Sequence, residues 1–244
     1  MSTFEDLTVR IQHFVWQRRV ESWEHEASPN LGKVIDAVIE EAAPGPEMLA
    51  LDLGCGSGQV SLRLAPQVAE LIGVDISERM VERMLARAAE DGLSRVRGQV
   101  SPLERLELAR NSVDLIVSNY VFHHLNDDAK ARVVQLCYGW LKPGGRLVIG
   151  DMMFGRGGTT QDRQVIMDKV KLLAAKGIGG YWRIAKNAVR YLLRVQEKPI
   201  AKERWVNLFE TAGFKDVHVR TVVAEAGVVV GMKSSDAGAK DSHD

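Results

Sequence analysis

Three groups of residues have types and spacings that could do chemistry. The first is the run Leu51-Asp52-Leu53-Gly54-Cys55-Gly56-Ser57-Gly58, where glycines recur at alternate positions shortly after an acidic residue. Glycine lets a backbone turn sharply and approach a ligand that side chains would hold off. Such a loop has mechanical meaning where it joins a strand to a helix, and the helix start is expected to offer free N–H groups and a partial positive charge. A dinucleotide loop reads Gly-x-Gly-x-x-Gly. Counted from Gly54 and Gly56, its third glycine belongs at position 59, but that residue is Gln59 and the third glycine is Gly58. Asp52 would repel a pyrophosphate and suits a ligand with an ammonium group; Cys55 reads as a small filler of the loop. The second group is Ser118-Asn119-Tyr120-Val121-Phe122-His123-His124-Leu125. Histidine titrates near neutrality and can act as a general base, so His123 and His124 are candidate catalytic residues, one of them expected to pack structurally. The third is Asp151, followed by Met152-Met153-Phe154, a carboxylate that either faces an acceptor beside an apolar wall or only ends its strand, capped by the following loop.

The elements that must position these residues follow from hydrophobic period and turn chemistry. An amphipathic helix is predicted from Phe4 to about Glu26 and another from Leu31 to Ala43, ending before Pro44-Gly45-Pro46. Strands and helices then alternate. Met48–Leu53 is a strand and Gly58–Ala65 a helix; Leu71–Ile76 is a strand, and Ser77 caps the helix Glu78–Glu90. Arg95–Ser101 is a weak third strand and Val113–Ser118 a strong fourth. Asp127–Leu141 is a helix, and Pro143-Gly144-Gly145 turns the chain into the strand Arg146–Met152. Two helices, Asp162–Ala175 and Tyr181–Arg194, interrupt the pattern before a helix Lys202–Gly213 and the strands Val217–Val223 and Gly227–Met232. This order predicts an α/β fold, Rossmann-like and doubly wound, with a mostly parallel seven-stranded sheet and an antiparallel edge hairpin. One domain is expected over 1–232: N-terminal helices at 1–46, a binding core at 47–154, a helical lid at 155–199 and a closing helix and strands at 200–232. A disordered polar tail is expected from Lys233 to Asp244.

Asp-x-Gly-x-Gly-x-Gly resembles the nucleotide loop of class I S-adenosylmethionine-dependent methyltransferases, in their small-molecule branch. The likeness runs from Met48 to Phe154 and more loosely to Met232. Val74-Asp75-Ile76-Ser77 is similar to that family's second motif, whose acidic residue binds both ribose hydroxyls, and Leu141-Lys142-Pro143-Gly144-Gly145-Arg146-Leu147 to its turn into the fifth strand. The resemblance implies S-adenosyl-L-methionine as cofactor, bound by Asp52, Gly54, Cys55, Gly56, Gly58, Asp75, Ile76, Ser101, Ser118 and Asn119. One departure stands out. The family places an acidic residue for the adenine amino group after the third strand, and here the chain reads Gly98-Gln99-Val100-Ser101-Pro102-Leu103. Ser101, Gln99 or a backbone carbonyl is expected to replace it.

The 244 residues carry 32 basic and 32 acidic groups, a balance that disfavours nucleic-acid binding by the whole surface. Cys55 and Cys137 have no metal-ligand spacing, and no apolar run approaches the ~20 residues of a membrane span. The expectation is a soluble cytoplasmic enzyme with a small-molecule acceptor. Between Gln161 and Arg204 lie eleven basic and four acidic residues. Arg183, Lys186, Arg190 and Arg194 fall on one helical face, which either is solvated or meets an anionic acceptor or surface, while the apolar sides cover the pocket or a second subunit. A nucleic-acid methyltransferase and a cofactor-binding regulatory or scaffold protein without turnover are the competing readings. A nicotinamide oxidoreductase is disfavoured by Gln59.

Overall fold

The computed structural model describes residues 29–154, 167 and 198–235. Among them seven strands form one sheet: β1 Leu49–Leu53, β2 Glu70–Asp75, β3 Val96–Val100, β4 Val113–Asn119, β5 Leu141–Met152, β6 Lys215–Val223 and β7 Ala226–Met232. Their spatial order is β3-β2-β1-β4-β5-β7-β6. The first five strands pair in parallel, and β7 runs antiparallel to both β5 and β6, which is the expected edge hairpin. Strand order reverses between β1 and β4, and open sheets of this kind bind ligands beyond the carboxyl ends of their strands at that point.

Ala50, Leu51, Leu53, Leu115, Ile116 and Val117 are buried without interruption, as strands covered on both faces require. Side chains alternate between two cores. On one face Leu51, Ile116 and Leu147 pack under the helices α4 (Asp127–Trp140) and α5 (Lys202–Ala212), through Val133, Trp205 and Phe209. On the other face Ala50, Leu115 and Val148 meet Val34 and Val38 of α1 (Pro29–Ala42). β3 is exposed along most of its length, in keeping with its weak apolar pattern. Among the described residues no helix is long and apolar enough to cross a membrane.

Three expectations change. The helix predicted over Gly58–Ala65 shrinks to α2, Ser61–Leu64, followed by a 3-10 turn at Ala65–Gln67. Gly58 has φ +91°, outside the right-handed helical region, and Pro66 sits at the start of the tighter turn. The Pro143–Gly145 turn lies inside the span of β5: Val113 pairs with Leu141 but Leu115 with Arg146, so residues 142–145 leave the ladder, with Gly144 at φ +79°. Lys233, predicted to open a polar tail, is buried. Its ammonium donates to Asn111 Oδ1 (2.7 Å), Tyr138 O (2.8 Å) and Leu141 O (2.8 Å), closing the end of α4 after Ser77 and Asn126 have capped the starts of α3 (Glu78–Glu90) and α4. The helix Phe4–Glu26, the lid 155–199 as far as residue 197 (Met167 apart), its basic stripe, and residues 236–244 of the tail lie outside the described residues.

Truncating Lys233 strips three acceptors of their donor, of which the Leu141 carbonyl is buried, and a buried polar group left unsatisfied costs about 1–3 kcal/mol. Lys233→Ala is therefore expected to lower the urea midpoint by an amount equivalent to at least about 1 kcal/mol. An unchanged midpoint would show that water replaces the ammonium without cost.

Candidate active site

The glycine loop leaves β1 and folds back on the end of β2. Gly54 N–H and Cys55 N–H both donate to Val74 O (2.7 and 3.0 Å), Gly56 N–H donates to Asp75 Oδ2 (3.0 Å), and Gly58 N–H to Cys55 O (2.9 Å). The expected anion-binding helix start is not what forms. Those four N–H groups are spent inside the protein, and a four-residue helix has little dipole to offer. Gly54 at φ +75° is obligatory for packing as well, since a Cβ there would lie 2.2 Å from Val121 Cγ2. Gly56 differs. It has φ +50°, and a Cβ would meet nothing within 4 Å, so its outer face opens onto the cavity.

The space of that cavity, open mouth included, is about 950 Å³. Asp52, Gly54, Cys55, Gly56, Asp75, Ile76, Ser101 and Asn119 all line it; Gly58 lies behind the loop, against Met84 and Leu62. Asp75 Oδ1 also accepts Ser77 N–H (2.8 Å), so one carboxylate joins the loop to the cap of α3 and still has lone pairs for ligand hydroxyls. Burial raises the Asp75 pKa against these backbone hydrogen bonds. Asp52 is buried and held by the Ser61 hydroxyl (2.5 Å). Its pKa is raised to about 7, chiefly by burial and further by Asp75, with Ser61 working the other way. Among the described residues no cationic side chain pairs with either carboxylate. Two polar atoms at the wall, Ser57 Oγ and Asn119 Oδ1, are buried without a hydrogen-bond partner.

Ser118 is not part of this wall. It is fully buried and its Oγ donates to Leu53 O (2.7 Å), stapling β4 to β1. Gln99 is exposed on β3 and also stays outside. An acidic residue that the sequence reading did not single out, Glu104, lines the cavity from the 3-10 turn Leu103–Arg105. Ser101 stands beside it, its N–H donating to Asp75 O (2.9 Å).

The two histidines separate. His124 lines the cavity; His123 turns inward and is buried. His123 is gripped by Asp151, which accepts the His123 N–H (3.0 Å) and lies 2.6 Å from Nδ1. Asp151 is fully buried and does not face the cavity, against the first of its two readings. Burial would raise its pKa, but His123, the Met152 N–H and His124 together pull it below the ordinary carboxylate value. The apolar wall expected from Met152-Met153-Phe154 is also absent from the lining: Met153 N–H continues the ladder to Glu225 O (2.9 Å), and Met153 packs in the core. Leu31, Tyr120, Val121 and Leu125 supply the apolar surface instead. Tyr120 occupies φ +55°, a conformation that costs a non-glycine residue about 1–2 kcal/mol. Its N–H donates to Gly150 O (2.8 Å). Burial, then the charges of Glu225 and Asp151, raise its pKa, so the hydroxyl keeps its proton.

Residues 50–145 match the methyltransferase-domain family. The chain is 36% identical over 120 residues to the uncharacterized methyltransferase YcgJ of Bacillus subtilis, covering 49% of this chain and 47% of that protein. It spans about half the length of the curated relatives it matches. Among solved structures it resembles a SAM-dependent methyltransferase from Aquifex aeolicus, with a TM-score of 0.61 at 18% identity over 88% of this chain and 97% of that one. It also resembles phosphoethanolamine N-methyltransferase 2 of Haemonchus contortus, there in complex with S-adenosyl-L-methionine, with a TM-score of 0.61 at 16% identity over 82% and 52%. Both structural likenesses are at the level of the fold.

The raised Asp52 pKa has a stability consequence. Between its ordinary value of 3.8 and about 7 the folded protein holds a proton that the unfolded chain has released. Stability from this group is therefore greatest at low pH and falls as pH rises towards 7. The difference between wild type and Asp52→Asn in urea is expected to move steadily in favour of the variant over that window. A difference independent of pH would show Asp52 ionised throughout.

Proposed function

We propose that this chain, whose residues 50–145 match the methyltransferase-domain family, is a class I S-adenosylmethionine-dependent methyltransferase that transfers the methyl group to a small-molecule acceptor. The observation that carries the reading is the pair of carboxylates, Asp52 buried and Asp75 half-buried, set around a glycine with open space above it and lacking a cationic partner among the described residues. S-adenosylmethionine meets those demands. Its ammonium and sulfonium supply positive charge, and its ribose supplies two hydroxyl donors. In this reading Asp75 holds the ribose and Ile76 packs beside the adenine. Glu104 and Ser101 meet the adenine edge, while Gly56, Asp52, Ser57 and Asn119 take the methionyl end.

The cofactor brings an activated methyl group, so the protein's share of the work is alignment and exclusion of water. The carbon must be presented in line with the acceptor atom, and Tyr120, Val121, His124 and Leu125 form the wall against which a small acceptor would lie. The cavity's mixed polar and apolar lining supports a compact organic acceptor.

Calorimetric titration with S-adenosylmethionine, S-adenosylhomocysteine and NAD tests the reading. The first two are expected to bind and the third not; binding of NAD alone would overturn it. Gly56→Ala is expected to weaken cofactor binding by at least tenfold while costing about 1–2 kcal/mol of stability from its left-handed backbone. Asp75→Ala, which loses charged hydrogen bonds of about 1.5–3 kcal/mol, is expected to weaken it about tenfold to a hundredfold.

A further inference from the structure

The acceptor side contains more machinery than alignment alone requires. The segment 120–125 is tied down from two distant parts of the chain and from the helix that follows it. Asp151 of β5 grips His123 at backbone and ring. The Lys198 N–H donates to His123 O (2.6 Å). Lys130 of α4, fully buried, donates from its ammonium to Leu125 O (2.6 Å) and to Lys198 O (2.7 Å). Within this frame the His124 ring lies against the fixed His123 ring, centroids 3.9 Å apart, and at the cavity wall.

Taking methyl transfer as given, we propose that the acceptor atom is an oxygen that must lose a proton, a phenolic or enolic hydroxyl, and that His124 takes that proton. His123, Asp151 and Lys130 are positioning residues. An uncharged amine or a thiolate attacks with a lone pair already available, and the surplus proton of the amine leaves to water afterwards. A hydroxyl is a weak nucleophile until its proton goes, so a held base is useful for oxygen in particular. Asp151 lies beneath His124 through His123, Asp52, Asp75 and Glu104 line the same cavity, and Glu225 stands near Tyr120. Against these, the Lys130 ammonium is committed to carbonyls, with Asp127 3.8 Å away. Tyr120 keeps its proton and can donate a hydrogen bond to the acceptor oxygen. The step balances: the O–H proton passes to the imidazole and the oxygen lone pair forms the O–CH₃ bond. The C–S bonding pair returns to sulfur, leaving a neutral thioether, and the imidazolium then loses its proton to solvent.

The test uses the full chain with S-adenosylmethionine, offering phenol, para-nitrophenol, benzylamine and thiophenol to the wild type, His124→Ala and Asp151→Asn, with cofactor affinity measured on each. The expected result is methylation of phenol, slowed about a hundredfold or more in His124→Ala at unchanged cofactor affinity. Para-nitrophenol, already largely ionised in mildly alkaline buffer, should lose less than about tenfold in the same variant. Asp151→Asn removes the charge that favours imidazolium, so the acid limb of the phenol pH profile should move to lower pH, which misfolding would not produce. Transfer to benzylamine or thiophenol in preference to the phenols, or equal loss for both phenols in His124→Ala, overturns the oxygen assignment and leaves methyl transfer standing. Cofactor binding without transfer to any of the four overturns both.

Discussion

Two carboxylates at the ends of neighbouring strands, Asp52 buried and Asp75 half-buried, set the terms for everything around them. Asp75 ends β2 and receives N–H groups from the glycine loop and from the cap of α3; Asp52, one residue from the end of β1, is anchored to Ser61 at the start of α2. Removing charge from water is costly unless something answers it. Here the answer from the protein is partial, made of hydrogen bonds alone among the described residues. The loop's own amides are directed inward to Val74 O, Asp75 and Cys55 O. An anionic ligand would find carboxylates where it needs N–H donors. A ligand with positive charge and hydroxyl groups completes the site, which is why the same glycine-rich architecture that serves pyrophosphates elsewhere is read here as a site for a sulfonium nucleoside.

The opposite wall is built on a different principle. The segment 120–125 holds one 3-10 turn, Phe122–His124, and is fixed further by backbone and side-chain groups from outside it. Tyr120 pays a backbone penalty at φ +55°, and the bonds from Asp151, Lys130 and Lys198 over-determine the segment that follows. The fully buried lysine is tolerated because its ammonium meets two carbonyl oxygens and has Asp127 3.8 Å away. Trp205 and Phe209 of α5 pack with Phe122 in the core beneath. Strain and polar burial thus concentrate where an acceptor would be held, as expected of a functional site.

Local chemistry made the nucleotide half legible in the sequence. The alternate glycines, Asp52, and the acidic end of the second strand name their own constraints, and the strand–helix alternation follows from hydrophobic period. What stayed hidden depended on distant chain segments. Ser118 has the right type and place for a ligand contact, but Leu53 O lies within its reach and claims the hydroxyl. Nothing in His123-His124 says which ring turns inward; Asp151, far along the chain, decides that. Lys130 reads as a solvated helix residue until the chain returning at Lys198 lies beside it. Glu104 escapes because the 3-10 turn that carries it into the cavity follows the strand rather than ending it. Lys233 reads as the start of a polar tail, and only the end of α4 explains its burial.

The most direct measurement is a crystal structure of the full chain with S-adenosylhomocysteine. The account expects the ribose hydroxyls on Asp75, the amino-acid end over Gly56 beside Asp52, and the sulfur turned towards Tyr120 and His124. A nucleoside seated elsewhere, or one whose sulfur points away from His124, would contradict it.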